Sequence, residues 1–314
     1  MLYEELIISS GGIYIIHYIG ALMGLNKYFP LEKFKYYTGC SAGGILSTML
    51  VLGYDIEEIK SIICELDIIE YQDLKIANFI DTYGFDNGEK FRNLFKTYFT
   101  KKGFHYNITF LELFEKSHKI LTLTTTNITK KQVEYHNIFS TPYMKVLDSI
   151  CMSMNIPILF KPIKYTLTYM GQLQENHYYL DGGLLDPFPW KVIKKVNPHK
   201  KIGIFKYENH QNELLNINEH YMDSFQNYFI HMIETILKDY TKEKYKFLKD
   251  DKINKNIFIF NDHLNAIDFS MSSEMKKIYI NKIEKLFTDF YLKMRRTTYL
   301  SKKYFSIWYF KSKN

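Results

Sequence analysis

The most legible pattern of apolar and polar positions lies in the first fifty residues. Leu6-Ile7-Ile8 is a short branched apolar run of the kind buried in a central sheet. Ser9-Ser10-Gly11-Gly12 breaks it, and apolar positions then recur through Leu25. The pattern predicts a strand, a glycine loop and a helix. It repeats at once: Phe34 to Thr38 reads as a second strand, Gly39-Cys40-Ser41-Ala42-Gly43-Gly44 as a sharp turn, and Ile45 to Leu52 as a second helix. The run from Leu6 to Leu25 is long enough to raise the question of a signal or membrane-spanning helix. Gly11-Gly12 and His17 interrupt it, however, and Glu4 and Glu5 stand where a signal peptide carries Lys or Arg. The expectation is a cytoplasmic protein without a leader or a transmembrane helix.

Further along, Asp55 with Glu58 and Thr109 with Glu112 carry the spacing of helix-opening capping boxes, the first helix running through Cys64. Leu121 to Thr126, Gln132 to Tyr135, Ile202 to Phe205 and Ile257 to Phe260 read as strands, and Thr141-Pro142 as the start of another helix. Apolar residues recur at helical spacing from His220 to Lys249 and from Ser273 to Met294. Such alternation predicts an α/β fold with a mainly parallel sheet covered on both faces. Neither a repeat nor a Gly/Ser-rich linker divides the chain, so residues 1–294 are expected to form one domain, followed by a tail over 295–314.

Composition sharpens this picture in two places. At 46% hydrophobic and 24% charged, the chain is globular rather than disordered or collagen-like. The formal charge of +7 is concentrated in the tail, where Arg295, Arg296, Lys302, Lys303, Lys311 and Lys313 stand among aromatics such as Trp308 with no acid. The remaining chain is close to neutral, which argues against a broad nucleic-acid-binding face; no nucleic-acid partner is expected. The tail's mixture of cations and amphipathic rings suits contact with an anionic membrane, and equally suits packing of the rings on the domain. Cys40, Cys64 and Cys151 are odd in number and lack C-x-x-C spacing, so reduced thiols are expected and no structural metal.

The chemistry centres on Gly39-Cys40-Ser41-Ala42-Gly43, which matches G-x-S-x-G. Small residues on either side of the serine permit a strained turn that lifts its hydroxyl to a helix N-terminus, where free N–H groups can stabilise developing negative charge. An α/β-hydrolase triad would need an acid and a histidine downstream of an elbow preceded by several strands. Here the serine follows a single strand-helix unit, and none of the ten histidines stands in a recognisable signature; His177 is closest to a glycine-rich acidic turn and reads as a loop histidine.

Three further segments resemble one family, the patatin-like phospholipases. Ser9-Ser10-Gly11-Gly12-Ile13-Tyr14 is similar to that family's glycine-rich oxyanion loop. Asp181-Gly182-Gly183 is similar to its D-G-G/A motif, and Ser153 to Pro162, with Pro157 and Phe160, to the S-x-x-x-P-x-x-F-x-P stretch before it. The order and spacing agree over residues 5 to about 193, and Ile267-Asp268-Phe269 with Ser272-Ser273-Glu274 is similar to the entry into a C-terminal helix. The resemblance implies a three-layer α/β/α fold and a lipid acyl hydrolase of the phospholipase A type acting on acyl esters of glycerophospholipids. It implies Ser41 as nucleophile, Asp181 as general base, and Gly11 and Gly12 as oxyanion donors, supported by Gly39, Gly43, Gly182 and Gly183, with no metal and no cofactor. Its apolar neighbours Leu180, Leu184 and Leu185 are expected to help bury Asp181 and raise its pKa. The chain departs from the family pattern at Ser10, Tyr14, Ile15 and Asp186, where the family has glycine, a basic residue, glycine and asparagine. Those departures leave a second reading open, a catalytically weak or inactive module that binds lipid or a partner.

Overall fold

The computed structural model describes residues 3–169, 172–206, 256–261, 270–300 and 310–311, with single positions at 228, 232 and 245. Among these residues nine strands share one sheet. In chain order they are β1 (Glu5–Ile8), β2 (Tyr36–Cys40), β4 (Ile120–Asn127), β5 (Gln132–His136), β7 (Ile163–Tyr169), β8 (Gln172–Asp181), β9 (Lys201–Lys206), β10 (Ile257–Asn261) and β11 (Phe310–Lys311). β3 (Gly84–Asp86) and β6 (Ile158–Phe160) form a separate pair. Across the main sheet the order is β11-β10-β9-β1-β2-β4-β8-β7, with β5 on β4. From β11 to β4 every pairing is parallel, whereas β4–β8, β7–β8 and β4–β5 are antiparallel.

The apolar runs explain why this sheet is enclosed on both faces. Successive side chains of a strand point to opposite faces, and here Leu6 and Ile8 join one hydrophobic core while Ile7 joins another with Phe188, Trp190 and Phe205. In β10 the same division separates Phe258 from Ile257 and Ile259. Helices α1 (Ile15–Asn26), α2 (Ala42–Val51), α3 (Ile56–Glu65), α4 (Ile76–Thr82), α5 (Glu89–Lys101), α6 (Phe110–Ser117), α7 (Val146–Ser153) and α8 (Ser273–Leu300) complete the α/β/α arrangement. Every residue of α1 from Ile15 to Leu25 is buried. A helix that is apolar all round must be enclosed, and α8 does much of the enclosing, approaching so closely that a Cβ at Gly20 would lie 2.4 Å from the Ile280 carbonyl oxygen. The long apolar stretch near the N-terminus is therefore a buried strand, a glycine loop and an interior helix. Among the described residues no helix is long and apolar enough to cross a membrane.

Both capping boxes are present, Asp55 with Glu58 opening α3 and Thr109 with Glu112 opening α6. Other boundaries differ from the sequence pattern. Phe34 precedes β2, buried behind a short 3-10 turn over Leu31–Lys33. Thr141-Pro142 does not open a helix, which starts at Val146: the Pro142 carbonyl accepts the Leu111 N–H, and the Thr141 N–H donates to Asn137, so the segment is held as a turn against α6. The sequence reading does not include the β7–β8 hairpin, although Lys164, Thr166 and Thr168 alternate with Ile163, Tyr165 and Leu167 at strand period. α8 runs unbroken past position 294 and carries Arg295 and Arg296, and Lys311 falls in β11. Apart from positions 228, 232 and 245, the helix expected over 220–249 lies outside the described residues, as do Ile267 to Phe269, Lys302, Lys303 and Trp308.

Candidate active site

Ser41 ends the strand β2 and begins the helix α2, with φ 51° and ψ −121°. A non-glycine residue in the left-handed range is strained, and such strain persists only where the surroundings hold it. The glycines around Ser41 show how tight those surroundings are. A Cβ at Gly39 would come 2.4 Å from the Gly43 carbonyl oxygen, and one at Gly43 would come 2.3 Å from that of Ile8. Only hydrogen at these positions lets the elbow close upon itself and upon the start of the glycine loop. The Ser41 N–H donates to Ser153 Oγ at 3.0 Å, fixing the elbow to the end of α7.

Asp181 arrives from the C-terminal end of β8, where it pairs in register with Thr125. The Ser41 hydroxyl donates to Asp181 Oδ2 at 2.6 Å, and the Gly183 N–H donates to Oδ1 at 2.7 Å. Its backbone is held on both sides, the N–H donating to the Asn155 carbonyl at 2.8 Å and the carbonyl accepting from Thr126 Oγ1 at 2.9 Å. Gly182 allows the turn to press on β4, since a Cβ there would lie 2.3 Å from the Thr124 carbonyl oxygen. Burial raises the Asp181 pKa to about 6, against which the Ser41 and Gly183 hydrogen bonds pull downward. Leu180, Leu184 and Leu185 are themselves only half-buried. Seated against β4 and the elbow, the carboxylate owes its burial to the sheet's end more than to an enclosing leucine cluster.

The glycine loop closes the third side. Tyr18 donates to the Ser10 carbonyl at 2.5 Å and hydrogen-bonds Ser9 Oγ at 2.8 Å; a Cβ on Gly11 would sit 2.3 Å from the same Tyr18 oxygen. Gly12 adopts φ 53°. The Ser10 N–H is committed to the Pro187 carbonyl at 2.8 Å, whereas among the described residues no hydrogen bond engages the Gly11 or Gly12 amide. A Cβ on Gly183 would lie 3.1 Å from Ser10 Oγ, so the loop also touches the D-G-G turn. Tyr14 brings no charge, but Lys206, at the end of β9, places its ammonium 3.9 Å from the centre of the Tyr14 ring. Asp186 is buried and accepts from Tyr135 at 2.5 Å and from Tyr245 at 3.2 Å.

The fold thus brings together Ser41, Asp181, Gly11, Gly12 and their supporting glycines, from segments that are far apart in sequence. Ser153, Asn155, Tyr18 and Thr126 join them without having been singled out for a role. Ser153 heads the S-x-x-x-P stretch and Asn155 lies within it, so that motif was the signal for both. His177 is not in a loop: it is a buried residue of β8, next to Asn127. It lies four positions from Asp181, roughly 13 Å along a strand, too far for contact. Among the described residues no histidine hydrogen-bonds to Ser41 or Asp181.

A strained serine elbow beside a buried carboxylate, at the parallel end of a three-layer α/β/α sheet, defines a class of fold with a serine-centred site. Residues 6–193 match the family model described as patatin-like phospholipase, and the chain belongs to that family. It is 29% identical over 284 residues to a probable lipid hydrolase, 463L, of Invertebrate iridescent virus 6, an alignment covering 88% of this chain and 84% of the relative. Its fold matches that of VipD from Legionella pneumophila with a TM-score of 0.64 at 16% identity, over 94% of this chain and 67% of the other. ExoU, in its complex with SpcU from Pseudomonas aeruginosa, matches with a TM-score of 0.52 at 15% identity; there the match covers 94% of this chain but about half, 52%, of the other.

Proposed function

We propose that this protein is a lipid acyl hydrolase of the phospholipase A type that works through a Ser41–Asp181 dyad. The observation that carries this reading is the 2.6 Å hydrogen bond from the Ser41 hydroxyl to a carboxylate whose pKa burial has raised to about 6. An unperturbed aspartate, near 3.9, is a weak base at neutral pH; a carboxylate near 6 remains ionised at pH 7 and takes a proton more readily. Asp181 accepts the hydroxyl proton as Ser41 Oγ bonds to the ester carbonyl carbon. The resulting oxyanion faces the amides of Gly11 and Gly12. Collapse of this intermediate breaks the bond to the alcohol oxygen, which takes the proton from Asp181 and leaves as lysolipid. Water gives a proton to the same carboxylate as it attacks the acyl carbon; the bond to Ser41 Oγ then breaks, Oγ takes the proton back from Asp181, and the fatty acid leaves. The carboxylate performs the proton transfers, so the proposed cycle requires no metal. Arg295, Arg296, Lys302, Lys303, Trp308 and Lys311 would add peripheral attraction to an anionic surface.

Family membership and the viral relative named as a probable lipid hydrolase support the substrate class. The test is fatty acid release from mixed-acyl phospholipid vesicles in the presence of chelator, comparing the native chain with Ser41→Ala and Asp181→Asn. Release by the native chain alone supports the dyad; undiminished release by either variant overturns it. The identity of the released chain gives the position of the ester that is cut.

A further inference from the structure

Beyond the D-G-G turn, three consecutive residues each commit a polar group to a different neighbour. The turn first closes on itself, the Asp186 N–H donating to the Gly182 carbonyl at 2.9 Å. The buried Asp186 carboxylate then meets two phenols, Oδ2 accepting from Tyr135 of β5 and Oδ1 from Tyr245. The Pro187 carbonyl accepts the Ser10 N–H at 2.8 Å, at the start of the glycine loop. The Phe188 N–H donates to the Tyr245 hydroxyl at 2.8 Å. A single segment therefore runs from Asp181 to the loop that carries Gly11 and Gly12.

The directions of these bonds define what position 186 must be. The Tyr245 oxygen accepts from Phe188, and its own proton is directed to Asp186; the Tyr135 proton is directed to the other carboxylate oxygen. Both hydroxyls need an acceptor, and a carboxylate offers two where an amide offers one acceptor and a donor. Aspartate thus suits this chain at the position where the family resemblance has asparagine. Both phenols are themselves anchored. Tyr135 pairs in register with Thr124 of β4, the strand on which Gly182 presses, and Tyr245 packs in the second core with its ring centre 5.2 Å from that of Phe205 in β9. The loop is tied to β9 as well, the Ser9 N–H donating to the Ile204 carbonyl at 3.1 Å.

We propose that Asp186 is a positioning residue. Gripped by Tyr135 and Tyr245, its carboxylate sets the general-base turn and the glycine loop at a fixed separation, so that the Gly11 and Gly12 amides face the oxyanion formed at Ser41. The inference rests on the acyl hydrolase reading and deepens it. Amides that drift out of line still allow the neutral ester to bind but stabilise its oxyanion less, so the loss falls on kcat and leaves KM in place. A carboxylate that served stability alone would lower the melting temperature and leave turnover per folded molecule intact.

Three variants of the full chain test this: Asp186→Ala, which removes both acceptors, Asp186→Asn, which keeps the shape, and Tyr135→Phe, which removes a hydroxyl and little bulk. Thermal melting gives the folded fraction of each. The expected fall in kcat for fatty acid release is about a hundredfold for Asp186→Ala and about tenfold for the other two, with KM within about twofold, so that asparagine restores part of what alanine loses. Hydrogen–deuterium exchange across residues 6–14 should quicken at least about tenfold in all three, and it reads the loop whether or not an ester is cut. Native kcat and native exchange in folded Asp186→Asn and Tyr135→Phe would overturn the proposal and leave the hydrolase reading intact. Quickened exchange in the variants of a chain that releases no fatty acid would leave the clamp standing and remove the hydrolase reading.

Discussion

Two buried carboxylates at opposite ends of the sheet are held in contrasting ways. Glu5, at the start of β1, lies 2.8 Å from the Lys201 ammonium and accepts from Thr38 Oγ1 at 2.8 Å. Lys201 is itself buried and donates to the carbonyls of Trp190 and Ile193. Burial pushes the Glu5 pKa up, and both Lys201 and Thr38 oppose it. Asp181, at the end of β8, is opposed only by a hydroxyl and an amide N–H. Similar desolvation is therefore matched with a full positive charge at one end and with neutral donors at the other. The first arrangement ties the loop before β9 to the sheet; the second leaves a carboxylate able to exchange a proton near neutral pH.

Substitutions at the two ends should separate these roles. The largest expected effect is that of Asp181→Asn on fatty acid release, a fall of at least about a thousand-fold, because loss of one member of a unit that acts together removes most of its benefit. Steady-state rates check this, and a fall below tenfold would remove Asp181 as the base. At the other end, Lys201→Met should leave turnover per folded molecule within about twofold while destabilising the protein by about 3–5 kcal/mol, the usual cost of stranding one partner of a buried pair. Urea denaturation measures it, and a loss under about 1 kcal/mol would mean that Glu5 does not depend on Lys201.

The third expectation has the opposite sign. The unfolded chain gives up the Asp181 proton near pH 4, whereas the folded chain keeps it to about pH 6. Stability is therefore lost as pH rises through that window, by about 2–3 kcal/mol in all. Asp181→Asn should recover this amount above pH 6.5 and gain almost nothing at pH 4, measured by denaturation across pH. In the native enzyme the same titration should produce an acidic limb of kcat/KM falling about tenfold per pH unit below 6; a flat profile down to pH 4 would contradict a raised pKa. The smallest effect is that of Ser153→Ala, which removes one neutral hydrogen bond to the elbow amide. It should lower kcat about tenfold, in keeping with about 1–1.5 kcal/mol for such a bond, and Ser153→Thr should restore part of the loss.

Much of this arrangement could be read from the order of residues because its signals are local. A branched apolar run, a glycine turn and a capping pair each act within a few positions, so β1, β2, α2, α3 and α6 were legible, and G-x-S-x-G marked Ser41. Family resemblance supplied Asp181, which no local pattern would have chosen over the chain's other acids. Thr141-Pro142 misled because its helix-opening signal was overridden by hydrogen bonds to α6 and Asn137. The β7–β8 hairpin is harder to read because, although β7 alternates from Ile163 to Tyr169, the first half of β8, from Gln172 to His177, is almost wholly polar.

The sequence by itself determined the alternation that makes an enclosed sheet, the two glycine turns at its C-terminal end and the chemical identity of the serine and aspartate. Tertiary structure decided what those residues can do. It set Ser41 and Asp181, 140 positions apart, at 2.6 Å, gave Glu5 a lysine, and left Asp181 among neutral donors. The physical reason is that a proton affinity depends on desolvation and nearby charge, which are properties of the space around a side chain and are assembled from strands and loops distant in the chain.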